Sequence, residues 1–419
     1  MSATAAQSPV FQTLSNGMRL LVLPSDANSI VSAVLFMPFP GAIEQPHEAG
    51  LVSFTHRMLM RGTRLRSNAE LAEAIEALGT TMASECSDDF SYTHLVSTAD
   101  SFSESVQLMA EILQQPSFEP EEIEKERQST LAAIRRSDDD KFSATIKAFL
   151  RELYGEHGYG LPTLGYTGTV GELTREQILN VHDEFSDPAM CTAIVVGNVT
   201  PGQAERLLEE HFAKRSADPE SARKDWSVQE PLYRIACRTK LTRECEQSYL
   251  VMGFPACPIT HEDFPAVRVL NAVLGDGMSS RLFLRLRDEQ GLAYAIGSSF
   301  SALKRGGHLF GYIGTKPESL EVARDGMQQQ FDLVKSDLVP ADELERTRNY
   351  LIGKFLIDHQ TNYKRAFYLG YFDAMGVGIE RDNLYPEIIA GVTPQQVREV
   401  ANKYLTSATV AELVPVQSK

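Results

Sequence analysis

Apolar residues recur along the chain with two periods, and the switching between them predicts its elements. In "GMRLLVLPS", which follows the turn dipeptide Asn16-Gly17, and in "IVSAVLFMPF", apolar positions form short runs of strand length. "NAELAEAIEAL" changes to helical spacing, with Asn68 placed to cap it. "FSYTHLVSTA" returns to apolar–polar alternation and "SFSESVQLMAEIL" to the helical period, while "CTAIVVGNVT" is a buried strand running into a loop. Further on, "QSYLVMGFPA" and "GGHLFGYIGT" repeat the strand pattern. Strands interspersed with helices predict an α+β fold in which each sheet, mostly antiparallel, carries helices packed on it.

The pattern is written twice. "ELTREQILNVHDEF" from Glu172 resembles "GVTPQQVREVANKY" from Gly391, and aligning Thr174 with Thr393 gives an offset of 219. Upstream, "EIEKERQSTL" from Glu122 resembles "ELERTRNYLI" from Glu343 at an offset of 221. Two matches in one order at nearly one spacing indicate a duplicated domain. Between the copies lies "KRSADPESARKDWSVQEP", polar, with two prolines and no apolar periodicity, which reads as a linker. The expected division is a first half over 8–215, a linker over 216–231 and a second half over 232–416, each half long enough for its own core.

Composition narrows the function. The chain has 419 residues and a net charge of −16 without a basic cluster, which argues against nucleic acid and anionic membrane as partners. No window approaches the ~18 consecutive apolar residues of a membrane-spanning helix. Five scattered cysteines, with no C-x-x-C pair, make neither a disulfide framework nor a thiolate zinc site. The start, "MSATAAQSPV", has no apolar core, so no intact signal peptide is expected there.

One stretch raises a chemical question. "GLVSFTHRMLMRGT" from Gly50 carries an apolar stripe through Leu51, Phe54, Met58 and Leu59, and it closes on Gly62-Thr63. Its polar residues, Ser53, Thr55, His56 and Arg57, sit on what is otherwise a core helix. A lone imidazole in such a helix is more often a packed or surface residue than a ligand.

Together these features resemble the pitrilysin family of zinc metallopeptidases, which includes insulin-degrading enzyme and the mitochondrial processing peptidases. The resemblance runs from "TLSNGMRLLV" to "TSATVAELVP". It implies two homologous α+β halves facing each other across a chamber, with small members pairing two chains like a clamshell. The family's zinc motif is H-x-x-E-H in a context like G-L-A-H-F-L-E-H-M-L-F-R-G-T. Gly50, Leu51, Phe54, Met58, Leu59, Arg61, Gly62 and Thr63 fit that frame without gaps. On that frame Ser53 stands at the first ligand histidine, His56 at the general-base glutamate and Arg57 at the second ligand histidine. The third ligand, a glutamate in a segment like "ERQSTLAAI", falls on Ala133. The family's N-A-x-T substrate-holding element falls on Ala83, Ser84, Glu85 and Cys86, without the asparagine. Zinc needs neutral-nitrogen or anionic-oxygen donors. Ser53 is a poor donor, Ala133 is none, and the Arg57 guanidinium stays protonated and repels a cation. No metal is expected in this chain.

The second copy keeps what the first has lost. "LGDGMSSRLFLRLRDEQGLAYAIGSSF" resembles the family's carboxyl-half signature, in which an arginine and a tyrosine stand seven residues apart; here they are Arg287 and Tyr294. In the family the arginine holds a substrate carbonyl and the tyrosine helps stabilise the tetrahedral intermediate at the opposite half's zinc. The helix through "SRLFLRLRDEQ" is expected to end at Gly291, putting Arg287 in its last turn and Tyr294 at the start of the next strand. Arg281 and Arg285 match no family site. "GDGMSSR" is neither a phosphate loop nor the glycine-rich loop of a processing-peptidase subunit.

Two readings follow. In the first, the chain is the non-zinc subunit of a heterodimeric metalloendopeptidase acting on peptides. A homologous H-x-x-E-H partner then supplies the zinc, and this chain is inactive alone. In the second, it is a structural scaffold subunit on a degenerate peptidase fold. The retained pair favours the first. A bacterial source is expected, with a periplasmic home favoured over the cytoplasm.

Overall fold

The computed structural model describes residues 9–212 and 226–416, so residues 216–225 of the expected linker lie outside the described residues. The chain gathers into two compact units that do not follow its order. The first takes residues up to 134 together with 163–228 and 358–374, and the second takes 135–162, 229–357 and the remainder from 375.

In the first unit the strands β1 (Val10–Thr13), β2 (Arg19–Pro24), β3 (Ile30–Met37), β4 (Thr81–Cys86), β5 (Ser91–Thr98) and β6 (Thr192–Gly197) form one sheet in the order β1-β2-β6-β3-β5-β4. Only β2 and β6 are parallel; the other pairs are antiparallel. In the second unit, β7 (Arg238–Arg243), β8 (Ser248–Pro255), β9 (Ala293–Ala302), β10 (Gly307–Thr315) and β11 (Thr409–Pro415) take the order β7-β11-β8-β10-β9, with β7 and β11 parallel. Apart from β1, the two sheets have one topology, so the duplication seen in the sequence is a duplication of structure. The repeated helix starts agree in detail: Thr174 and Thr393 each cap a helix in a reciprocal capping box, with Gln177 and Gln396.

The helices bury apolar faces against these sheets. In the first unit α1 (Leu51–Leu59), α2 (Asn68–Ala77), α3 (Phe102–Gln114) and α4 (Pro120–Asp139) accompany a core that includes Met18, Leu20, Leu35, Phe54, Leu59, Leu108 and Ile112, all buried. Each such side chain contributes about 1.5–3 kcal/mol relative to exposure. The cap of α2 differs from expectation. Ser67, not Asn68, is the cap, closing a box with Glu70, while the Asn68 amide donates to Glu122 on α4 at 3.0 Å.

Each sheet has a further helix that comes from the other part of the chain. The helix Asn362–Ala374 packs on β3 and β6 of the first sheet, where Phe367 meets Phe36 and Tyr92 with ring centroids 5.9 and 5.2 Å apart. Asp373 on that helix receives two hydrogen bonds from the Arg19 guanidinium, at 2.9 and 3.0 Å. Conversely α5 (Lys141–Tyr154) packs on β8 and β11 of the second sheet, with Phe149 against Phe310 and the Tyr154 hydroxyl 2.9 Å from His308 Nδ1.

Candidate functional site

The helix α1 is fixed at its start by backbone contacts that only glycine permits. Gly50 (φ +94°) and Gly165 (φ +76°) lie back to back. A Cβ on Gly165 would stand 2.2 Å from the Ala49 carbonyl oxygen, and one on Gly50 would stand 2.7 Å from that of Leu164. Glu44, buried beneath this crossing, accepts hydrogen bonds from the backbone N–H of Gly50 (2.8 Å) and Val52 (2.6 Å). Burial pushes the Glu44 carboxyl up to about 8.

From this anchored start, α1 presents Ser53 and Arg57 at partly buried positions and sinks His56 into the core. Arg57 faces Glu126 of α4, its Nη1 3.5 Å from Oε1. Arg61, one turn further along the chain, donates to Glu126 Oε2 through Nε at 2.9 Å and through Nη2. Thr130 donates to Glu126 Oε1 at 3.1 Å. Ala133 lies two helical turns beyond Glu126 on the same helix, partly buried, with a methyl where the family frame has its third donor. The donor set therefore does not fit zinc: a hydroxyl, a methyl and a guanidinium occupy the three ligand positions, and a second guanidinium adjoins them. Among the described residues no group of three His, Cys, Asp or Glu side chains is placed to hold a metal ion.

His56, at the general-base position, is fully buried. Its Nδ1 lies 2.8 Å from Ser84 Oγ on β4, which in turn lies 2.8 Å from Thr93 Oγ1 on β5, and its ring stacks on Phe185 at 4.4 Å. A serine beside a histidine has the outline of a nucleophile–base pair. Burial, and to a lesser degree the nearby His182, pushes the imidazole down to about 3, so it holds no proton near neutral pH and is a weak base. Its role is to tie α1 to β4. This has a measurable consequence. An unfolded histidine binds a proton below pH ~6.5, whereas folded His56 stays neutral until about 3. The unfolded state therefore binds more protons in that window, and stability falls as pH drops from about 6.5 towards 3. Compared with wild type, His56→Gln should show a flatter loss of unfolding free energy between pH 6.5 and 4.5, by up to ~1.4 kcal/mol per pH unit. Denaturant titrations across that range check it, and identical slopes would contradict it.

In the second unit, residues Phe283–Glu289 form a π-helical turn, which closes at Gly291 (φ +64°). The Gly291 N–H donates to the Arg287 carbonyl at 3.0 Å and the Leu292 N–H to that of Leu286 at 2.9 Å, so the glycine cap expected from the sequence is present. The π-helical form of the turn was not expected, and such turns are frequent at functional sites. Three arginines on and just before this turn separate by partner. Arg281 makes a forked pair with Glu343 at 2.8 and 2.9 Å, and Arg285 pairs with Glu289. Arg287 lies over the Phe283 ring at 4.6 Å and is exposed, with no carboxylate partner among the described residues.

Tyr294 stands at a β-bulge on β9, the edge strand of its sheet. Ala293 pairs with Thr315 and Ala295 with Gly314, leaving Tyr294 as the extra residue. A bulge re-aims the side chain it carries. The Tyr294 ring is 83% exposed, and its hydroxyl makes no hydrogen bond among the described residues. The Thr315 hydroxyl locks the turn from below by donating to the Leu292 carbonyl at 2.7 Å. Arg287 and Tyr294 thus flank one rigid turn of the second unit, whereas Ser53, His56, Arg57 and Ala133 belong to the first. The sequence reading placed Arg61 in the motif frame but missed its partner Glu126. Glu126 was legible as a helical spacing, seven residues before Ala133 on the same helix, whereas Arg61 lies just past the end of α1.

Comparison with known proteins bears on the fold and the family. The pattern described as "Insulinase (Peptidase family M16)" matches residues 21–167, and that described as "Peptidase M16 inactive domain" matches 172–351. An uncharacterized zinc protease of Streptomyces coelicolor is 28% identical over 402 residues, covering 94% of this chain and 86% of that one. An uncharacterized zinc protease of Bacillus subtilis is 25% identical over 360 residues, covering 84% and 85%. Among solved structures, a protease from Helicobacter pylori superposes with a TM-score of 0.91 at 18% identity, over 97% of this chain and all of that one. A peptidase M16 inactive domain from Pseudomonas fluorescens gives 0.90 at 18% identity, over 99% and 100%.

Proposed function

The chain belongs to the M16 peptidase family, and from that premise we propose that it is the non-zinc subunit of a two-chain zinc metalloendopeptidase. A homologous partner carries H-x-x-E-H and its zinc. This chain contributes Arg287 and Tyr294, the guanidinium to hold a peptide carbonyl and the phenol to stabilise charge as that carbonyl becomes tetrahedral. One observation carries the reading. Of the three arginines Arg281, Arg285 and Arg287, the last alone lacks an acidic partner among the described residues, and the π-helical turn that carries it is followed by a tyrosine displaced to solvent by a bulge. A scaffold has no physical use for both. The donor set at Ser53, Arg57 and Ala133 leaves the metal chemistry to the partner, and a bacterial periplasm is the proposed compartment.

Reconstitution tests this. The purified chain should hold no stoichiometric zinc and hydrolyse no quenched-fluorescence peptide. Mixing it with an H-x-x-E-H homologue from the same genome should give a heterodimer many times more active than the homologue alone. Full activity of the homologue by itself, or tightly held zinc in this chain, would overturn the proposal. An inactive but stable assembly would favour the scaffold reading.

A further inference from the structure

The first unit holds an imbalance of charge around Glu126. Glu126 is 3% exposed, yet two arginines converge on it. Its oxygens are already served: Arg61 donates twice to Oε2, and Thr130 donates to Oε1. Arg57 approaches Oε1 only at 3.5 Å, beyond the range of a good N–H···O bond. One positive charge is left over, on a guanidinium with most of its donors unspent. The Arg57 side chain is 37% exposed and that of Arg61 is 32% exposed, so both reach solvent. A planar guanidinium fork matches a carboxylate in a bidentate arrangement.

The neighbouring strand indicates the rest of the ligand. α1 is tied to β4 through His56 and Ser84, and β4 is the last strand of its sheet, with one backbone edge unpaired among the described residues. Such an edge accepts an extended peptide. We propose that Arg57, supported by Arg61 on Glu126, forms a binding site for the terminal carboxylate of a peptide lying beside β4. The peptide as ligand rests on the peptidase reading above. The carboxylate site itself belongs to this chain alone and is tested without a partner.

The test measures binding by the full chain of a fluorescently labelled extended hexapeptide, once with a free C-terminal carboxylate and once as the C-terminal amide. The free acid should bind about tenfold more tightly, the scale of one charge-assisted contact. Arg57→Gln should abolish that preference, and Arg57→Lys, which keeps the charge but loses the fork, should retain part of it. Because Glu126 keeps Arg61 in every variant, the melting temperatures should stay close to wild type. Equal affinity for acid and amide, no binding of either, or a preference that survives Arg57→Gln would overturn the proposal. Inorganic phosphate that displaces the peptide as well as its own free acid would also overturn it, marking a general anion site.

Discussion

Removing the Tyr294 hydroxyl should lower the turnover of the reconstituted heterodimer about a hundredfold while leaving apparent substrate affinity nearly unchanged. A donor aimed at a developing oxyanion strengthens its bond only as the carbonyl becomes tetrahedral, and loss of such a donor costs on the order of 3 kcal/mol of barrier. Tyr294→Phe is a clean substitution here. The ring is 83% exposed and its hydroxyl has no partner among the described residues, so stability should change by no more than ~0.5 kcal/mol. Arg287→Ala should raise KM as well as lower kcat, because a guanidinium on a ground-state carbonyl contributes to both. Arg281→Ala is the informative control. It breaks the forked pair with Glu343 and should weaken the fold locally without the same kinetic signature. Kinetics unchanged by both Tyr294→Phe and Arg287→Ala in an intact heterodimer would defeat the shared-site reading.

The largest effect on stability is expected at Gly165. Gly165→Ala should lower the unfolding free energy by about 3 kcal/mol, for two reasons that add. A φ of +76° costs a residue with a Cβ about 1 kcal/mol, and the new methyl would lie 2.2 Å from the Ala49 carbonyl oxygen. That oxygen is backbone and cannot rotate away. It is also held by the Thr169 hydroxyl at 2.7 Å, and moving it would disturb the bonds from Gly50 and Val52 to Glu44 that start α1. Gly168→Ala and Gly171→Ala, nearby with open space at the Cβ, should be neutral or slightly stabilising. Chemical denaturation of the three variants decides the matter; a Gly165 variant no weaker than the controls would show that the crossing can relax.

Much of this was legible in the sequence, and what was not has a physical reason. Strands such as "IVSAVLFMPF" and helices such as "SFSESVQLMAEIL" announce themselves by period, and the structure places them at Ile30–Met37 and Phe102–Gln114. Thr174 and Thr393 were visible as a repeat because a capping box is a local device, written in four residues. The cap of α2 was displaced by one residue because serine and asparagine both cap well. Only the third dimension shows that the amide of Asn68 is engaged by Glu122. The π-helical form of Phe283–Glu289 and the bulge at Tyr294 were invisible, since each depends on register against a distant segment: β10 for the bulge and the packed second unit for the turn. The depth of His56 was equally hidden, because its partners Ser84 and Phe185 are remote in sequence.

The exchange of helices between the two halves of the sequence has a consequence for how the protein is made. The first sheet is complete in sequence once β6 has been synthesised, yet the aromatic face of Phe36, Phe90 and Tyr92 is covered by Phe367, on a helix that begins only at Asn362. At ribosomal speeds of roughly 5–20 residues per second, that face waits on the order of ten seconds for its cover. During the same interval α5 has emerged with its own apolar side, and the sheet it belongs to has not yet been made. The nascent chain thus carries two unfinished, sticky surfaces through most of translation. Neither half expressed alone would be a miniature of the whole, and each unit is complete only near the end of synthesis.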